Sequence, residues 1–347
     1  MQIDLLIIGQ GLAGSLLAVE ALNQGLNILV VDDGQENASM VAAGLVNPLS
    51  GLRLLKTQDL DDLLVVAKTV YRHLEQRYQR VFWHERDMLR VMKSEQQRQY
   101  AELRLADPAY QNYLHAWAEP DKRFESPFGI LQQTATAYLD TRALLAAIKS
   151  ELIASGCLVA SRFDPAQLQL QPHLQWQGIH SRCVVFCEGH QARFNPWFKD
   201  LPWQVVQGDI LTVATEPQLP QSIINYGHWL LPTATHHARL GASFNLLLDL
   251  KPNPMARAEL LNGIAQVMPA LGEMRVIDHQ VGIRPATLDK QPLVGAHPQF
   301  PQLMIFNGFG AKGSLLIPAT AQRMLTWMRS KQPLPAYCDI QRLSWPV

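Results

Sequence analysis

The sequence predicts an α/β fold in which one domain alternates strands with helices and a second, α+β domain is built on an antiparallel sheet. Three observations predict this fold. An apolar strand, a glycine-rich turn, a helix and a second strand follow one another within residues 1–32. The same order of strand, glycine turn and helix returns within residues 303–325. Residues 204–279 instead contain short strands separated by turns, a pattern typical of antiparallel sheets.

The N-terminal unit carries the motif Gly9-Gln-Gly11-Leu-Ala-Gly14 directly after the apolar run Ile3–Ile8. In a unit of the Rossmann type, the first glycine permits a tight turn and the second lets the backbone approach a pyrophosphate. The third glycine lets the helix pack closely on the strand. The helix that follows has one apolar face, formed by Leu12, Leu16, Val19 and Leu22. This arrangement points the helix N-terminus, which attracts anions, at the turn.

The second strand, Leu29–Asp32, ends in an acid 18 positions after Gly14. The carboxylate of Asp32 can accept hydrogen bonds from ribose hydroxyls and would repel the 2′-phosphate of NADP. No Arg or Lys lies between residues 1 and 50. The unit therefore predicts a Rossmann-like site for FAD or NAD, and a glycine turn without a ligand is the alternative.

The rest of the chain supplies further elements, from which we predict the domain boundaries. In chain order they are a loop of small residues at 33–51, an amphipathic helix at 59–78, strands at 88–92 and 129–133, a helix at 141–152 capped by Asp140, a strand at 157–160, a hairpin through Leu170 and Trp176, a strand at 183–186, strands at 208–214, 229–231 and 239–242, a helix through 260–271, a strand at 303–306 and a helix from 313 past Leu325. We expect one domain from residues 1–80, 135–203 and 280–347. The second domain is expected from residues 81–134 and 204–279.

Composition narrows the class of protein. Thirty basic and thirty acidic residues cancel, so the net charge gives no support for a nucleic-acid partner. The four cysteines form no CxxC pair, which indicates a reducing compartment, and we expect no metal site. No apolar run approaches the ~20 residues that span a bilayer. We therefore expect a cytoplasmic protein that does not insert in a membrane.

A second glycine-rich turn, Asn307–Gly313, precedes the C-terminal helix. A nicotinamide dehydrogenase needs only the first turn and leaves this one unexplained. FAD carries a ribityl chain and an isoalloxazine ring that must be held far from its ADP half, and a helix N-terminus suits the pyrimidine edge of that ring. Two separated glycine turns therefore favour FAD.

These turns, together with several shorter segments, resemble the D-amino-acid-oxidase-like FAD-dependent oxidoreductases, which include glycine oxidase and sarcosine oxidase. The segments that carry the resemblance are Gly9–Gly14, Val30–Asp32, Ala38-Ser39, Ala42–Leu45, Leu139–Thr141, Phe186–Gly189, Gly282–Pro285 with Asp289, Pro292–Gly295 and Asn307–Gly313. The resemblance covers nearly the whole chain. It implies noncovalent FAD, because Pro285 stands near the position at which sarcosine oxidase has the cysteine that attaches its flavin.

The resemblance also implies which residues contact the cofactor. For the ADP half it implies Gly9, Gly11, Gly14 and Asp32, with Ser39 on a phosphate. For the flavin ring it implies the backbone of Ala43, Gly44 and Leu45. For the pyrimidine side, where N–H groups stabilise negative charge, it implies Gly308, Gly310, Lys312 and Gly313. The remaining implied contacts are Leu12, Ala13, Asp33, Val159, Glu188, Gly189, Arg284 and Ala311.

On the substrate side, the resemblance implies that Arg284 pairs with an amino-acid carboxylate through its planar guanidinium. Trp229 is implied as a pocket wall, and Lys312 completes the expected catalytic set. The alternatives are that Arg284 closes an internal ion pair and that Trp229 packs in the core. Glycine oxidase has a second arginine where this chain has Ala311, so its substrate specificity does not carry over.

The reaction implied is oxidation of a primary or secondary amine next to a carboxylate. Hydride transfer from Cα to flavin N5 would give an imine, which water hydrolyses. The expected partners are a small amine or amino acid and oxygen or another electron acceptor, with the oligomeric state left open.

Two other functions stay open. The chain, particularly Gly282–Gly295, also resembles the oxidase domain of the bifunctional enzyme that makes 5-methylaminomethyl-2-thiouridine in tRNA, although no basic stretch with interleaved aromatics marks an RNA footprint. A modified tRNA nucleoside is therefore one alternative substrate. A noncatalytic FAD-binding protein is the other alternative.

Overall fold

The computed structural model describes residues 2–35, 37–246 and 248–343, which form seven α-helices and 21 strands. The helices are α1 (Leu12–Asn23), α2 (Ala38–Val41), α3 (Leu60–Tyr78), α4 (Glu95–Leu105), α5 (Thr141–Ala154), α6 (Pro254–Val267) and α7 (Gly313–Ser330). The strands are β1 (Gln2–Ile8), β2 (Ile28–Asp32), β3 (Leu45–Val46), β4 (Leu49–Ser50), β5 (Leu55–Lys56), β6 (Trp83–Glu85), β7 (Met88–Val91), β8 (Leu114–Trp117), β9 (Ile130–Gln133), β10 (Ala137–Leu139), β11 (Leu158–Ala160), β12 (Leu168–Gln169), β13 (Gln175–Trp176), β14 (Ile179–Phe186), β15 (Val206–Ala214), β16 (Ile223–Asn225), β17 (Trp229–Ala234), β18 (His237–Gly241), β19 (Arg275–Arg284), β20 (Leu293–Ala296) and β21 (Leu303–Asn307).

The first sheet is built around five parallel strands in the order β11-β2-β1-β14-β21. Strand β20 pairs antiparallel with β21, and the hairpin β12–β13 adds to the first half of β14. Alternate residues of β1 enter two different cores, as expected for a central strand covered on both faces. Helices α1, α5 and α7 cover one face, with α3 packed on α7. The carboxyl ends of the parallel strands therefore meet at one edge.

The second sheet has eight strands in the order β19-β15-β18-β17-β16-β7-β9-β8. Its pairs are antiparallel, as the sequence predicts, except that β7 and β16 are parallel. The local pattern of each strand does not specify this pair, because its members lie far apart in the chain. Helix α6 packs on β15 over a separate apolar core. Two smaller sheets, β3-β10-β6 and β4-β5, complete the described fold.

Two features differ from the sequence predictions. Segment 33–51, predicted as a loop, contains α2, β3 and β4, because Asn37 caps a helical turn and Leu45–Val46 pairs with β10. The helix predicted through 271 ends at Val267, and Pro269, which has no N–H to continue it, begins a separate 3₁₀ turn. Strand β19 pairs with β15 along its length. It contains residue 280, at which the second part of one predicted domain ends and the last part of the other begins. The division into domains stays a prediction.

Candidate functional site

A cavity of about 520 Å³ opens at the carboxyl ends of the parallel strands and reaches the facing side of the second sheet. This edge of an open α/β sheet is where ligands generally bind. The first sheet contributes the glycine turn after β1 and the ends of β2 and β14. The second sheet contributes Gly208, Ile210 and Trp229 together with Arg284.

The turn after β1 presents bare backbone to this cavity. Gly9 has a φ of +102°, and a Cβ there would lie 2.6 Å from the Cys187 carbonyl oxygen. A Cβ on Gly14 would lie 1.9 Å from the Gly9 carbonyl oxygen, so no side chain fits at either position. Gly11 differs, since its nearest neighbour would be the Ser39 hydroxyl at 3.4 Å. The backbone at Gly11 is therefore open to a ligand, and Ser39 Oγ accepts a hydrogen bond from the amide of Leu12 at 3.0 Å.

Asp32 holds the adjacent strand end in place. Its carboxylate accepts hydrogen bonds from the backbone N–H of Gln10 and of Gly34, each at 2.7 Å. The bond from Gln10 ties the end of β2 to the glycine turn. Asp32 and Asp33 both line the cavity.

The backbone after α2 is held by a side chain from the second sheet. Arg239 on β18 donates hydrogen bonds to the carbonyl oxygens of Val41 and Ala42, the latter at 2.7 Å. A Cβ on Gly44 would lie 2.0 Å from the carbonyl oxygen of Leu139, so this residue is packed directly on β10. The segment from Ala43 to Leu45 is thereby fixed along the cavity wall.

Only some residues of the C-terminal glycine turn line the cavity. Gly310, Ala311 and Gly313 line the cavity, and the amide of Gly310 donates to the Pro285 carbonyl at 3.1 Å. Lys312 does not line it, because its ammonium donates instead to the Thr57 hydroxyl at 3.3 Å. Burial lowers the pKa of Lys312.

Arg284 lies at the end of β19 with its guanidinium against the backbone of Gly208. A Cβ on Gly208 would lie 2.2 Å from Nη2 of Arg284, and that nitrogen donates to the Ser243 carbonyl oxygen at 3.2 Å. Within the described ranges no carboxylate forms an ion pair with Arg284. Burial lowers its pKa, and the charge of nearby Asp209 opposes that effect. The donors of Arg284 that are not used by Ser243 are available to a ligand.

A buried polar network holds the residue whose carbonyl oxygen is hydrogen-bonded to Arg284. The Ser243 hydroxyl donates to Oδ2 of the fully buried Asp209 at 2.7 Å, and Nε2 of His279 lies 2.8 Å from Oδ1 of the same carboxylate. Asn253 donates its amide to Oδ1 at 2.9 Å. The network fixes the Ser243 backbone to which Arg284 is bound. It joins residues far apart in the chain, and no sequence motif indicates it.

Trp229 lies both on the cavity and against its own sheet. Its indole lines the cavity, and it also packs on Gly241, whose Cβ would lie 2.8 Å from Trp229 Cζ2. The same ring joins a small apolar cluster with Met88 and Leu231. The packed side chain of Trp229 therefore forms part of the cavity lining.

Most predicted site residues line this one cavity. They are Gly9, Gly11, Leu12, Ala13, Asp32, Asp33, Ser39, Ala43, Gly44, Leu45, Glu188, Gly189, Trp229, Arg284, Gly310, Ala311 and Gly313. Four lie outside the lining, namely Gly14, Val159, Gly308 and Lys312. Gly14 and Gly308 pack against backbone, and Val159 packs within the sheet opposite Val31.

Sequence reasoning missed other lining residues. Ser161, Arg162 and Phe163 follow β11, and Asn195 lies beyond β14. The signal for the first three was available, because β11 is a parallel strand and its carboxyl end meets the same edge. Among the described residues, no group of three or more His, Cys, Asp or Glu side chains could hold a metal ion, and no helix is both long and apolar enough to cross a bilayer.

Residues 4–327 match the family model described as FAD dependent oxidoreductase (DAO). Glycine oxidase of Pseudomonas aeruginosa is 26% identical over 142 residues, which are 40% of this chain and 39% of that protein. The tRNA 5-methylaminomethyl-2-thiouridine biosynthesis bifunctional protein MnmC of Marinobacter nauticus is 23% identical over 350 residues, 92% of this chain and 54% of that protein. The matches thus span between two fifths and about half of the length of these two relatives.

Solved structures share the fold. Iminodiacetate oxidase (IdaA) from Chelativorans sp. BNC1 superimposes with a TM-score of 0.82 at 18% identity, covering 96% of this chain and 98% of that chain. Glycine oxidase from Geobacillus kaustophilus gives a TM-score of 0.79 at 18% identity, covering 96% of each chain. The predicted fold class and the family resemblance are confirmed.

Proposed function

Because the chain belongs to the FAD dependent oxidoreductase family, we propose that the cavity binds FAD along its length and an amine substrate at its Arg284 end. The substrate would be a primary or secondary amine next to a carboxylate. The relatives named glycine oxidase and iminodiacetate oxidase support this class of substrate.

The shape of the glycine turn supports the placement of FAD. Gly11 has no side chain beside the open N-terminus of α1, where backbone N–H groups suit a pyrophosphate. We assign the pyrophosphate to this turn with Ser39, and the ribose hydroxyls to Asp32. The fixed backbone of Ala43–Leu45 and the turn Gly310–Gly313 would then hold the flavin ring. Lys312 has no direct contact in this assignment, since its ammonium is bound to Thr57.

One observation carries the substrate assignment, namely the guanidinium of Arg284 with only one hydrogen bond to the described protein atoms. A guanidinium has five N–H donors in a planar fork, which matches two carboxylate oxygens. Trp229 and Ile210 beside it are apolar and exclude water from the bound amine. Arg284 thus orients the substrate by its carboxylate.

When bound, FAD supplies the acceptor for the hydride that leaves the substrate Cα. The protein contributes to the reaction by positioning the substrate. Arg284 fixes the carboxylate, the wall at Trp229 limits rotation of the remainder, and a neutral amine nitrogen allows the C–H bond to be oxidised to an imine. Water then hydrolyses the imine. Oxygen or another acceptor regenerates the cofactor.

An anaerobic substrate screen tests this proposal. We expect amino acids and N-alkyl amino acids to bleach the visible absorbance of the bound flavin, and matched amines without a carboxylate to leave it unchanged. Admission of air, followed by separate artificial acceptors, would identify the oxidant. Bleaching by the matched amines at equal rates, or no bleaching by any carboxylate-bearing amine, would overturn the assignment.

A modified tRNA nucleoside is a second candidate substrate, because the similarity to MnmC extends over 92% of this chain. The screen therefore includes tRNA that carries a carboxylate-bearing secondary amine on its modified uridine, and the free nucleoside. Bleaching by the tRNA alone would favour this candidate over free amino acids.

Replacing Gly208 by alanine is expected to raise KM at least tenfold, with the affinity for FAD little changed. The added Cβ would lie 2.2 Å from Nη2 and 2.7 Å from Cζ of Arg284, so the guanidinium must move. Displacements of about 1 Å at a positioning group cost up to ~10²-fold in rate. Steady-state kinetics and FAD titration measure the two effects.

A double-mutant cycle provides the control for this substitution. If Gly208→Ala acts through Arg284, it should add little to the loss caused by Arg284→Ala, because the displaced group is already absent. Additive losses in the double variant would contradict the proposed contact.

A further inference from the structure

The strongest unexplained feature of the cavity is the carboxyl group of Glu188. This residue follows β14 and borders the first glycine turn, since a Cβ on Gly9 would lie 3.5 Å from Glu188 Cα. It lines the same cavity as Gly9 and Gly11, to which we assign the pyrophosphate. An acidic side chain is therefore half-buried beside the place proposed for an anion.

Among the described residues, one hydrogen bond satisfies this carboxyl group. Nδ2 of Asn195 donates to Oε2 of Glu188 at 2.8 Å. The orientation of that amide is fixed, because Asn195 is 3% exposed and its Oδ1 accepts from the amide of Trp197 at 2.9 Å. No hydrogen bond to Oε1 occurs within the described part of the chain. One carboxyl oxygen is thus held by the protein, and the other is left for the cavity.

Within the described part of the chain, no charged side chain forms an ion pair with Glu188. Cys187 precedes it with a thiol whose pKa is raised by burial, and His190 follows it with a pKa that burial lowers to about 4. Arg193, on the same 3₁₀ turn, has its guanidinium over the Phe194 ring at 4.5 Å from the centroid. Asp32, across the glycine turn on β2, adds a further acid. None of these four residues forms a hydrogen bond or an ion pair with Glu188 in the described structure.

Two anions enclosed beside each other cannot both stay ionised without a large cost. A neutral carboxylic acid, in contrast, can donate its proton in a hydrogen bond to a phosphate or hydroxyl oxygen. The family resemblance already implies that Glu188 contacts the cofactor, and we propose that it does so as a neutral acid, so that FAD binding above neutral pH takes up one proton from solvent. The proposal rests on the FAD assignment but not on any substrate.

The direction of the pH dependence follows from the pKa of Glu188 in the protein without FAD. Burial raises the pKa of Glu188 to about 7, and the hydrogen bond from Asn195 opposes this shift. Below that pH the acid is already neutral and the affinity for FAD is constant. Above it, the neutral fraction falls about tenfold per pH unit, and the apparent Kd rises in proportion.

The test titrates apoprotein with FAD at pH 6, 7, 8 and 9, following the quenching of flavin fluorescence. For the unaltered protein we expect the Kd to rise by no more than about twofold between pH 6 and 7 and by about tenfold between pH 8 and 9. Glu188→Gln is the matched variant, since it keeps the size and a neutral donor. Its Kd should stay flat over the same range. Calorimetry in two buffers with different ionisation enthalpies should show uptake of about one proton at pH 8.5, absent in Glu188→Gln.

A second variant keeps the proposal falsifiable if Glu188→Gln folds poorly. Asn195→Ala removes the donor that favours the charged form, so the rise in Kd should begin at a higher pH. A flat profile in the unaltered protein, or the same profile in Glu188→Gln, would overturn the assignment. Because no substrate is added, either result leaves the proposed amine oxidation untouched, and a failed substrate screen leaves this test intact.

Discussion

Replacing Arg284 by alanine is expected to lower kcat/KM for carboxylate-bearing amines about a hundredfold to a thousandfold. The substitution removes the charged fork at the substrate end of the cavity, and loss of one partner of a buried, hydrogen-bonded charge pair costs about 2–5 kcal/mol. The affinity for FAD should change little by comparison, because the turn assigned to the pyrophosphate follows β1 of the first sheet, whereas Arg284 ends β19 of the second. Rapid-reaction measurement of flavin bleaching separates the rate of reduction from substrate binding.

Two comparisons make the Arg284 experiment specific. Arg284→Lys keeps the charge but not the planar pair of donors, so its loss should lie between those of the unaltered protein and Arg284→Ala. A matched amine without a carboxylate should react equally slowly with all three proteins. If Arg284→Ala oxidises carboxylate substrates at the unaltered rate, another group binds the carboxylate and the substrate end has been misplaced.

Replacing Gly14 by alanine is expected to destabilise the apoprotein by at least about 3 kcal/mol, which is at the upper end of overpacking costs. The added Cβ would lie 1.9 Å from the Gly9 carbonyl oxygen and 3.1 Å from its carbon, both backbone atoms that cannot rotate aside. In a chain of this size, that loss corresponds to a fall in Tm of roughly 4 °C or more. Thermal denaturation of the apoprotein measures it.

Gly11→Ala is the matched control, because it lies in the same turn with different neighbours. Its Cβ would meet only the side chains of Ser39 at 3.4 Å and Asn37 at 3.8 Å. The apoprotein should therefore keep its Tm, while the affinity for FAD falls about a hundredfold because the methyl group occupies the approach of the pyrophosphate. Equal losses of Tm in the two variants would contradict this division between a packing glycine and a ligand glycine.

The elements predicted correctly are those whose signals are local. Strand β1, helix α1 and strand β2 follow from residues 3–32 alone, because the apolar runs and the spacing of Gly9, Gly11 and Gly14 occur together. The pairing of β7 with β16 could not be found in this way. Neither strand carries a signal for its partner, and the direction of the pair depends on how the intervening chain returns.

The same limit applies to the site. A motif places a residue in the chain but does not fix where its side chain extends, which is why Lys312 belongs to the C-terminal turn and yet binds Thr57. Arg284 was predicted through resemblance, whereas its support from Ser243, Asp209 and His279 depends on contacts of β15 and β19 with the segment that follows β18. Gly208 was missed because its importance lies in what packs on it, and nothing in its neighbours along the chain indicates that.

The parallel pair of β7 with β16 has a consequence for folding on the ribosome. The 131 residues that separate Val91 from Ile223 must be synthesised before the two strands can meet. At about 5–20 residues per second this takes roughly 7–26 s. During that time one edge of β7 has no partner strand from its own sheet, while β9 can already cover the other. The nascent chain therefore carries an open strand edge for seconds, and that edge is where we expect mispairing or chaperone binding to begin.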